Sequence, residues 1–478
     1  MKRALILVAL LAFAQFALAG GILTNTNQSA QFVRTLSRNA STDLDATYFN
    51  PAGLTQVEDG FHISISNQYI TQEKKIENDF AMLNNSEFIG DVKAPLFPDF
   101  YAVYKKDKMA FSFGFGPNAG GGSAEYKNGL PGFEMLASMI VPTLQVSLAM
   151  IDLGIEAATG QNPGFSNVTG YDMDMYLNGS SVYYGFQANA AYQLNDMISV
   201  AVGGRYISAV NTYEGHLKDV TITAPAAYGG AQAPGDYLRL IASQVEAMDP
   251  ATAMLLSGTA AVLDEETGDK ELDAKQTASG ITPIFCVNLA LTEALNIGIK
   301  YEMETPLELV NETTKDVMEM FPDGEKYQAN IPAILSTGIS YDLTEAFNAA
   351  FSFTYYFDKE TDNEGWKDEE TGESLIESNT YEIGVGLQYA ISEQLAVSAG
   401  YQLTAISVAD EYQSEMEHEL SANTVGGGIR YKLNESIDLD LGALYAMYSE
   451  ASVEIPQMYT ETYNRSSLAI VAGLGYHF

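Results

Sequence analysis

From about residue 60 onward the chain alternates, with apolar side chains at every second position and small or polar ones between them. Ile437, Leu439, Leu441, Ala443, Tyr445 and Met447 interleave with Asp438, Asp440, Gly442, Leu444, Ala446 and Tyr448, and the C-terminal stretch repeats the pattern with Leu468, Ile470, Ala472, Leu474, Tyr476 and Phe478. A period of two is that of a strand with two chemically different faces. Alternation alone does not say which face is the core, because a water-soluble sandwich has it too. The connections decide. Very short polar turns (Lys105-Lys106-Asp107, Leu194-Asn195-Asp196, Leu291-Thr292-Glu293, Leu343-Thr344-Glu345, Ile391-Ser392-Glu393, Leu433-Asn434-Glu435) take turns with long connections near 73–97, 117–181, 214–276, 306–327, 359–378, 409–418 and 454–464. Short turns on one rim and long loops on the other are the pattern of an outer-membrane barrel. One strand near 60–72, hairpins at 98–116, 182–213, 278–305, 329–358, 379–408 and 420–453, and a last strand at 466–478 predict an all-β fold, a 14-stranded antiparallel transmembrane β-barrel.

The N-terminus supports export. Lys2 and Arg3 precede an apolar run to Leu18, and Ala17-Leu18-Ala19 supplies a small-x-small cleavage pattern, so residues 1–19 read as a signal peptide too short to span a bilayer. The rest of the chain has no long uninterrupted apolar run, which excludes a helical inner-membrane bundle. Acids outnumber bases by 62 to 24, for a net charge of −38, and this excludes nucleic acid as a partner. Many acids cluster at 264–273, 358–373 and 410–419, as solvated loops would. The single Cys286 has no partner for an internal disulfide and reads as a small lumen or core residue. No cofactor box or metal-ligand spacing is present. His62, His216, His418 and His477 form no constellation with a serine and an acid, so the chain does not read as an enzyme. The terminal Phe478 resembles the sorting signal read by the barrel-assembly machinery, and a monomer surrounded by outer-membrane lipid is expected.

Residues 20–59 break the alternation and have no place in a wall, yet Phe32, Val33, Leu36, Leu44, Tyr48, Phe49 and Leu54 are too apolar for a disordered tail. A hatch plugging the lumen explains them, with the barrel over 60–478. Within this segment runs Asp45-Ala46-Thr47-Tyr48-Phe49-Asn50-Pro51-Ala52-Gly53-Leu54. That stretch, shortly after a signal peptide and ahead of a 14-stranded barrel ending in Phe478, resembles the FadL/TodX family of long-chain fatty acid and hydrocarbon transporters. The resemblance implies a hatch held in part by Asn50, Pro51, Ala52 and Gly53, and a third strand kinked so that the wall opens sideways. Here the third strand, with Gly114 and Gly116, runs straight into Pro117, Asn118, Gly120, Gly121 and Gly122, where proline removes a ladder donor and glycines permit bends. An ordinary strand end entering a loop reads equally well at that point.

Ligand capture needs apolar surface. In the long connection 117–181, Phe133, Leu136, Met139 and Ile140 fall on one helical face, and the family resemblance assigns a hairpin there to an outer binding groove. The second long loop, 214–276, is amphipathic in places, and its Arg239 reads as paired with Asp236 or Glu246. Alternation points Arg205, Lys300, Glu302, Glu382, Arg430, Asp438 and Asp440 into the lumen, where salt bridges to Arg34, Arg38, Asp43 and Asp45 are expected; in the sharper reading Arg205 or Arg430 binds a ligand carboxylate. The functional expectation is passive transport of hydrophobic small molecules, foremost long-chain fatty acids, by loop capture and lateral exit. The alternatives are a general porin and a surface adhesin, since both share the barrel and its acidic loops.

Overall fold

The computed structural model describes Ile22, Thr24 and residues 27–368 and 370–478. The signal peptide expected at 1–19 lies outside the described residues. Inside the barrel, α1 (Ala30–Thr35), α2 (Ala46–Phe49) and a 3-10 turn over Pro51–Gln56 precede the first strand. The closed wall has 14 antiparallel strands: β1 (Gly60–Asn78), β2 (Glu87–Lys106), β3 (Met109–Tyr126), β4 (Tyr171–Gln193), β5 (Ile198–Thr223), β6 (Lys270–Ala290), β7 (Leu295–Glu302, resumed at Glu308–Asp316), β8 (Lys326–Gln328, then Ile334–Thr344), β9 (Phe347–Tyr356), β10 (Ile376–Ala390), β11 (Leu395–Val408), β12 (Ala422–Asn434), β13 (Ile437–Tyr448) and β14 (Tyr459–His477). Ala231–Gln232 and Ala451–Ile455 add short pieces of ladder above it. β1 pairs with β14 from His62↔His477 to Asn78↔Glu461, so no open edge is left for hydrocarbon to strand without hydrogen bonds.

Which face is the core is now decided. Large apolar side chains point outward and are exposed, among them Ile65 and Tyr69 on β1, Phe111 and Phe113 on β3, Val202 and Tyr206 on β5, Leu441 on β13 and Ile470 on β14. Their inward neighbours Ser64, Ser66, Gln68, Gln187, Asn189, Gln402, Thr404 and Asp440 are buried. A water-soluble sandwich arranges its faces the other way round. Apolar outside and polar inside requires a lipid surround.

The strands overshoot the limits expected from alternation, and the loops shrink accordingly. The connection expected at 117–181 occupies 127–170, the one at 214–276 occupies 224–269, and the one at 73–97 occupies 79–86. These upper strand ends rise above the apolar band, where neither face must be apolar, as in Tyr171-Asp172-Met173-Asp174. The pattern that betrays a membrane strand therefore fades before the ladder does. Over the same rim, α3 (Pro131–Ser138), α4 (Ile140–Thr159), α5 (Pro234–Val245) and α6 (Pro250–Thr267) pack Leu130, Phe133, Ile140, Leu148, Tyr237, Ile241 and Ala260 into a separate apolar core.

Candidate functional site

The N-terminal segment lies against the inner wall so closely that side chains would exclude it. A Cβ built on Gly384 would sit 2.1 Å from the Leu36 carbonyl oxygen, on Gly400 2.2 Å from that of Thr35, and on Gly426 2.6 Å from that of Val33. Gly338 and Gly298 leave the same room for Ala40 and Asn39, and Gly473 leaves it for Ala30. Residues 30–40 thus run around the lumen from β14 to β7 in a track of glycines. Sequence reading missed this track, although its signal was there: glycines at lumen-facing positions of strands that otherwise alternate cleanly.

The Asn50-Pro51-Ala52-Gly53 stretch now has a physical account. Asn50 is fully buried, and its Nδ2 donates to the Ser41 carbonyl at 2.9 Å and to Asn288 Oδ1 on β6 at 2.7 Å. Cys286 Sγ donates to Asn50 Oδ1 at 3.1 Å. One amide therefore ties the segment to itself and to the wall. Pro51 opens the 3-10 turn, where its missing N–H costs nothing. Gly53 packs beneath that amide: a Cβ there would meet Ser41 O at 2.4 Å and Asn50 Nδ2 at 2.6 Å. Ala52 is buried among Leu44, Leu54, Val103 and Cys286.

The lumen charges are paired. Arg34 meets Asp440 at 2.8 Å, Arg430 meets Asp43 at 2.7 Å, and Arg38 meets Asp45 at 2.7 Å. Arg205 forks onto Glu302 (2.6 Å) and Gln187 (2.7 Å) and lies over the Tyr48 ring at 4.4 Å. Arg205 and Arg430 thus spend their guanidinium groups on wall and segment, and neither lines the cavity described next. The expectation that either binds a ligand carboxylate is corrected. Arg239 pairs with Asp236 at 2.6 Å and also with Asp264, one helix away.

Above this packing the wall is interrupted. Pairing of β2 with β3 stops between Lys93↔Ser123 and Phe100↔Phe115 and resumes only beyond. Pro95 and Pro98 on β2 and Pro117 on β3 bring no N–H to this stretch, so the ladder lacks donors on both sides. On its other side β3 slips register against β4 between Pro117 and Ala119 and again between Gly120 and Gly122. Gly120 has φ +68, and a Cβ there would fall 2.0 Å from Ser181 O. Gln28 Nε2 fills one vacancy by donating to the Pro117 carbonyl at 2.9 Å. β3 continues past the interruption to Tyr126, so Pro117 to Gly122 is a defect within a strand and not a strand end. Gly114 lies below it, still paired with Tyr101 and Gln187 and facing Thr47, whereas Gly116 has already left β2.

The interruption borders a cavity of about 460 Å³. Phe32, Asn27 and Gln28 floor it, Ala94, Phe97, Asn118, Ala119, Gly120 and Gly122 form its side at the break, and Leu130, Phe321 and the loop residues Glu415 to Leu420 roof it. Several buried polar atoms on its lining have no hydrogen-bond partner among the described residues: both amide atoms of Asn118, Asn211 Oδ1, Glu415 Oε2, His418 Nε2 and Arg465 Nε. Phe133, Leu136, Met139 and Ile140 are not on that lining. Phe133 and Ile140 are buried in the loop core and Leu136 and Met139 are half-buried, so they form no exposed collector. The exposed apolar stripe of that connection is instead Val146, Met150 and Leu153 on α4, while in the second long loop α6 exposes Met254 and Leu255.

Solved structures share this architecture. A Pseudomonas aeruginosa FadL homologue superposes with a TM-score of 0.59 at 12% identity, covering 96% of this chain and all of that one. The Ralstonia pickettii toluene transporter TbuX gives 0.54 at 13%, covering 95% and 99%, and the P. putida toluene transporter TodX gives 0.51 at 13%, covering 92% and 95%. A search of the curated proteins gave no match. Residues 10–478 match the family described as outer membrane protein transport protein (OMPP1/FadL/TodX), a family of outer-membrane transporters and not of enzymes. The chain therefore belongs to the OMPP1/FadL/TodX family and is a multi-pass β-barrel of the outer membrane.

Proposed function

We propose that this barrel carries hydrophobic small molecules, with long-chain fatty acids as the favoured cargo, across the outer membrane without an energy source of its own. One observation carries the reading: the cavity of about 460 Å³ is floored by the N-terminal segment and adjoins the long gap in the ladder between β2 and β3. A ligand there has packed residues beneath it and an unladdered stretch of β2 and β3 beside it. In this reading the exposed apolar residues on α4 and α6 collect ligand, the cavity holds it, the segment over residues 20–59 acts as a hatch, and Gly116 to Gly122 form the lateral exit. The toluene cargo of TbuX and TodX, as their names state it, agrees with apolar transport, and the family gives the same class. The test is uptake of a radiolabelled long-chain fatty acid and of toluene by cells that depend on this barrel, before and after Gly122→Val. The Cβ of residue 122 comes within 2.6 Å of Val92, so valine wedges the stretch. Unchanged uptake of both compounds in a folded variant sinks the lateral exit. Uptake of neither by wild type sinks the transport reading.

A further inference from the structure

The stretch without ladder bonds runs over residues 94–99 of β2 and 116–122 of β3. It reads Ala94-Pro95-Leu96-Phe97-Pro98-Asp99 on one side and Gly116-Pro117-Asn118-Ala119-Gly120-Gly121-Gly122 on the other. One side chain in it can carry charge, that of Asp99. The other polar side chain, Asn118, is a neutral amide.

Asp99 points into the barrel. It is the next inward-facing side chain below Phe97, which lines the cavity, and it is only 2% exposed. A Cβ built on Gly116 would lie 3.6 Å from the Asp99 Cβ, so the carboxyl stands at the lower lip of the gap, across from the point where β3 leaves β2.

Little compensates a charge there. Ser66, opposite Asp99 on β1, donates to Oδ2. Oδ1 is buried without a hydrogen-bond partner, and Asp99 joins no ion pair among the described residues. The charges that act on it are those of Asp45 and Asp440, both of like sign. The cations beside those two are committed to them: Arg38 lies 2.7 Å from Asp45, and Arg34 and Arg430 lie 2.8 and 3.2 Å from Asp440. An anion entering the gap would therefore leave water, meet no free cation and come up beside Asp99 in a region of low dielectric. A neutral molecule of the same size meets none of these costs.

Resting on the lateral exit proposed above, we infer that Asp99 sets the charge selectivity of that exit: neutral molecules pass between β2 and β3, anions of equal size are held back, and a carboxylic acid leaves in its protonated form. Selection at this point is separate from capture by the loops, because Asp99 lies below the cavity and outside its lining.

The test is the initial rate of uptake of radiolabelled hexadecanol and of hexadecanesulfonate, an anion at every working pH, by cells that depend on this barrel, with cells lacking it as background. Wild type should take up the alcohol at least about tenfold faster, on the order of one like-charge contact in a partly screened interior. Asp99→Asn keeps the shape and an acceptor for Ser66 but removes the charge, and should raise the sulfonate rate at least about fivefold while the alcohol rate stays within about twofold. Asp99→Ser, a smaller uncharged variant, should shift the ratio the same way. Heat-modifiable gel mobility checks that each variant is a folded barrel. Equal wild-type rates for the two probes overturn the charge selectivity and leave the transport reading standing. So does an unchanged ratio in the folded variants. Uptake of neither probe by wild type overturns both.

Discussion

The glycine track makes a quantitative claim about how the N-terminal segment is held. In Gly400→Ala the new methyl is placed 2.2 Å from the Thr35 carbonyl oxygen, and in Gly384→Ala 2.1 Å from that of Leu36. Ordinary contact begins at 3.4 Å, so either segment or wall must give by about 1 Å. Both opposing atoms are backbone, and no rotamer change relieves the overlap. Overpacking of this kind costs about 1–3 kcal/mol. Because the ladder between β10 and β11 is unbroken from Tyr381↔Ala405 to Ala390↔Ala396, around both glycines, the weaker partner is the segment, whose docked population should fall by roughly 5- to 150-fold. The two substitutions press on consecutive residues, so the double variant should cost less than the sum. The assay is hydrogen exchange over residues 30–40 together with single-channel conductance in planar bilayers. Exchange should quicken and brief openings should appear, while Gly204→Ala, whose nearest neighbour is Thr282 O at 3.8 Å, should change neither. Unaltered exchange in folded Gly384→Ala and Gly400→Ala would refute the claim that these glycines exist to admit the segment.

Three further outcomes follow from the same geometry. Asn50→Ala strands the buried Ser41 O without its side-chain donor and takes from Asn288 Oδ1 one of its two donors, and should destabilise the docked segment by about 1–3 kcal/mol, read as faster exchange over residues 41–56; wild-type exchange there sinks the role given to that amide. Gly120→Val meets both a left-handed backbone and Ser181 O at 2.0 Å, and should slow fatty acid uptake; undiminished uptake in a folded variant contradicts the exit. The loop over 409–421 should dock with opposing pH dependences. Burial, then the charge of Glu461, pushes the Glu415 carboxyl well above the usual carboxylate range, so its docking is complete at acid pH and weakens as pH rises through that raised value. Burial, then Arg465 and Lys74, pulls the His418 imidazole well below 6.5, so docking is also lost as pH falls beneath 6.5. Glu415→Gln should reduce the alkaline loss alone, with burial of Glu419 keeping the remainder, followed by the emission of Trp366, the single tryptophan, which packs with Tyr412 of that loop. An unchanged profile removes Glu415 from the account.

How much was legible in the sequence depended on whether the physics is local. Alternation such as Ile437 to Tyr448 is written in consecutive residues, so the wall, its short turns and the strand count were readable. The Asn50-Pro51-Ala52-Gly53 turn was readable for the same reason. The partners of a lumen charge were not. Arg205 and Arg430 look alike along the chain, and only the closed wall places Glu302 beside one and Asp43 beside the other. The helical face of Phe133 and Ile140 was seen correctly as apolar, but an apolar face is equally suited to packing under a loop, and here both residues are buried in the loop core. The break was sought in β3 alone. Its other half, Pro95 and Pro98, lies on β2, and two strands must be aligned before three prolines become one gap.

That gap also bears on the direction of exit. Removing the N-terminal segment downward would separate Arg34 from Asp440, and taking one partner from a buried pair costs about 3–5 kcal/mol; it would also part the half-buried Arg430 from Asp43. The Asn50 amide and the Lys300 bond to the Tyr48 carbonyl would be lost as well. Moving sideways between β2 and β3 breaks no ladder bond between Lys93 and Phe100, because none is there. The contact to be displaced is Gln28 to the Pro117 carbonyl, at about 0.5–1.5 kcal/mol net. On the proposed reading, a ligand with no energy source behind it takes the side door because the floor is held by buried charge and the wall at that height is held by side chains alone.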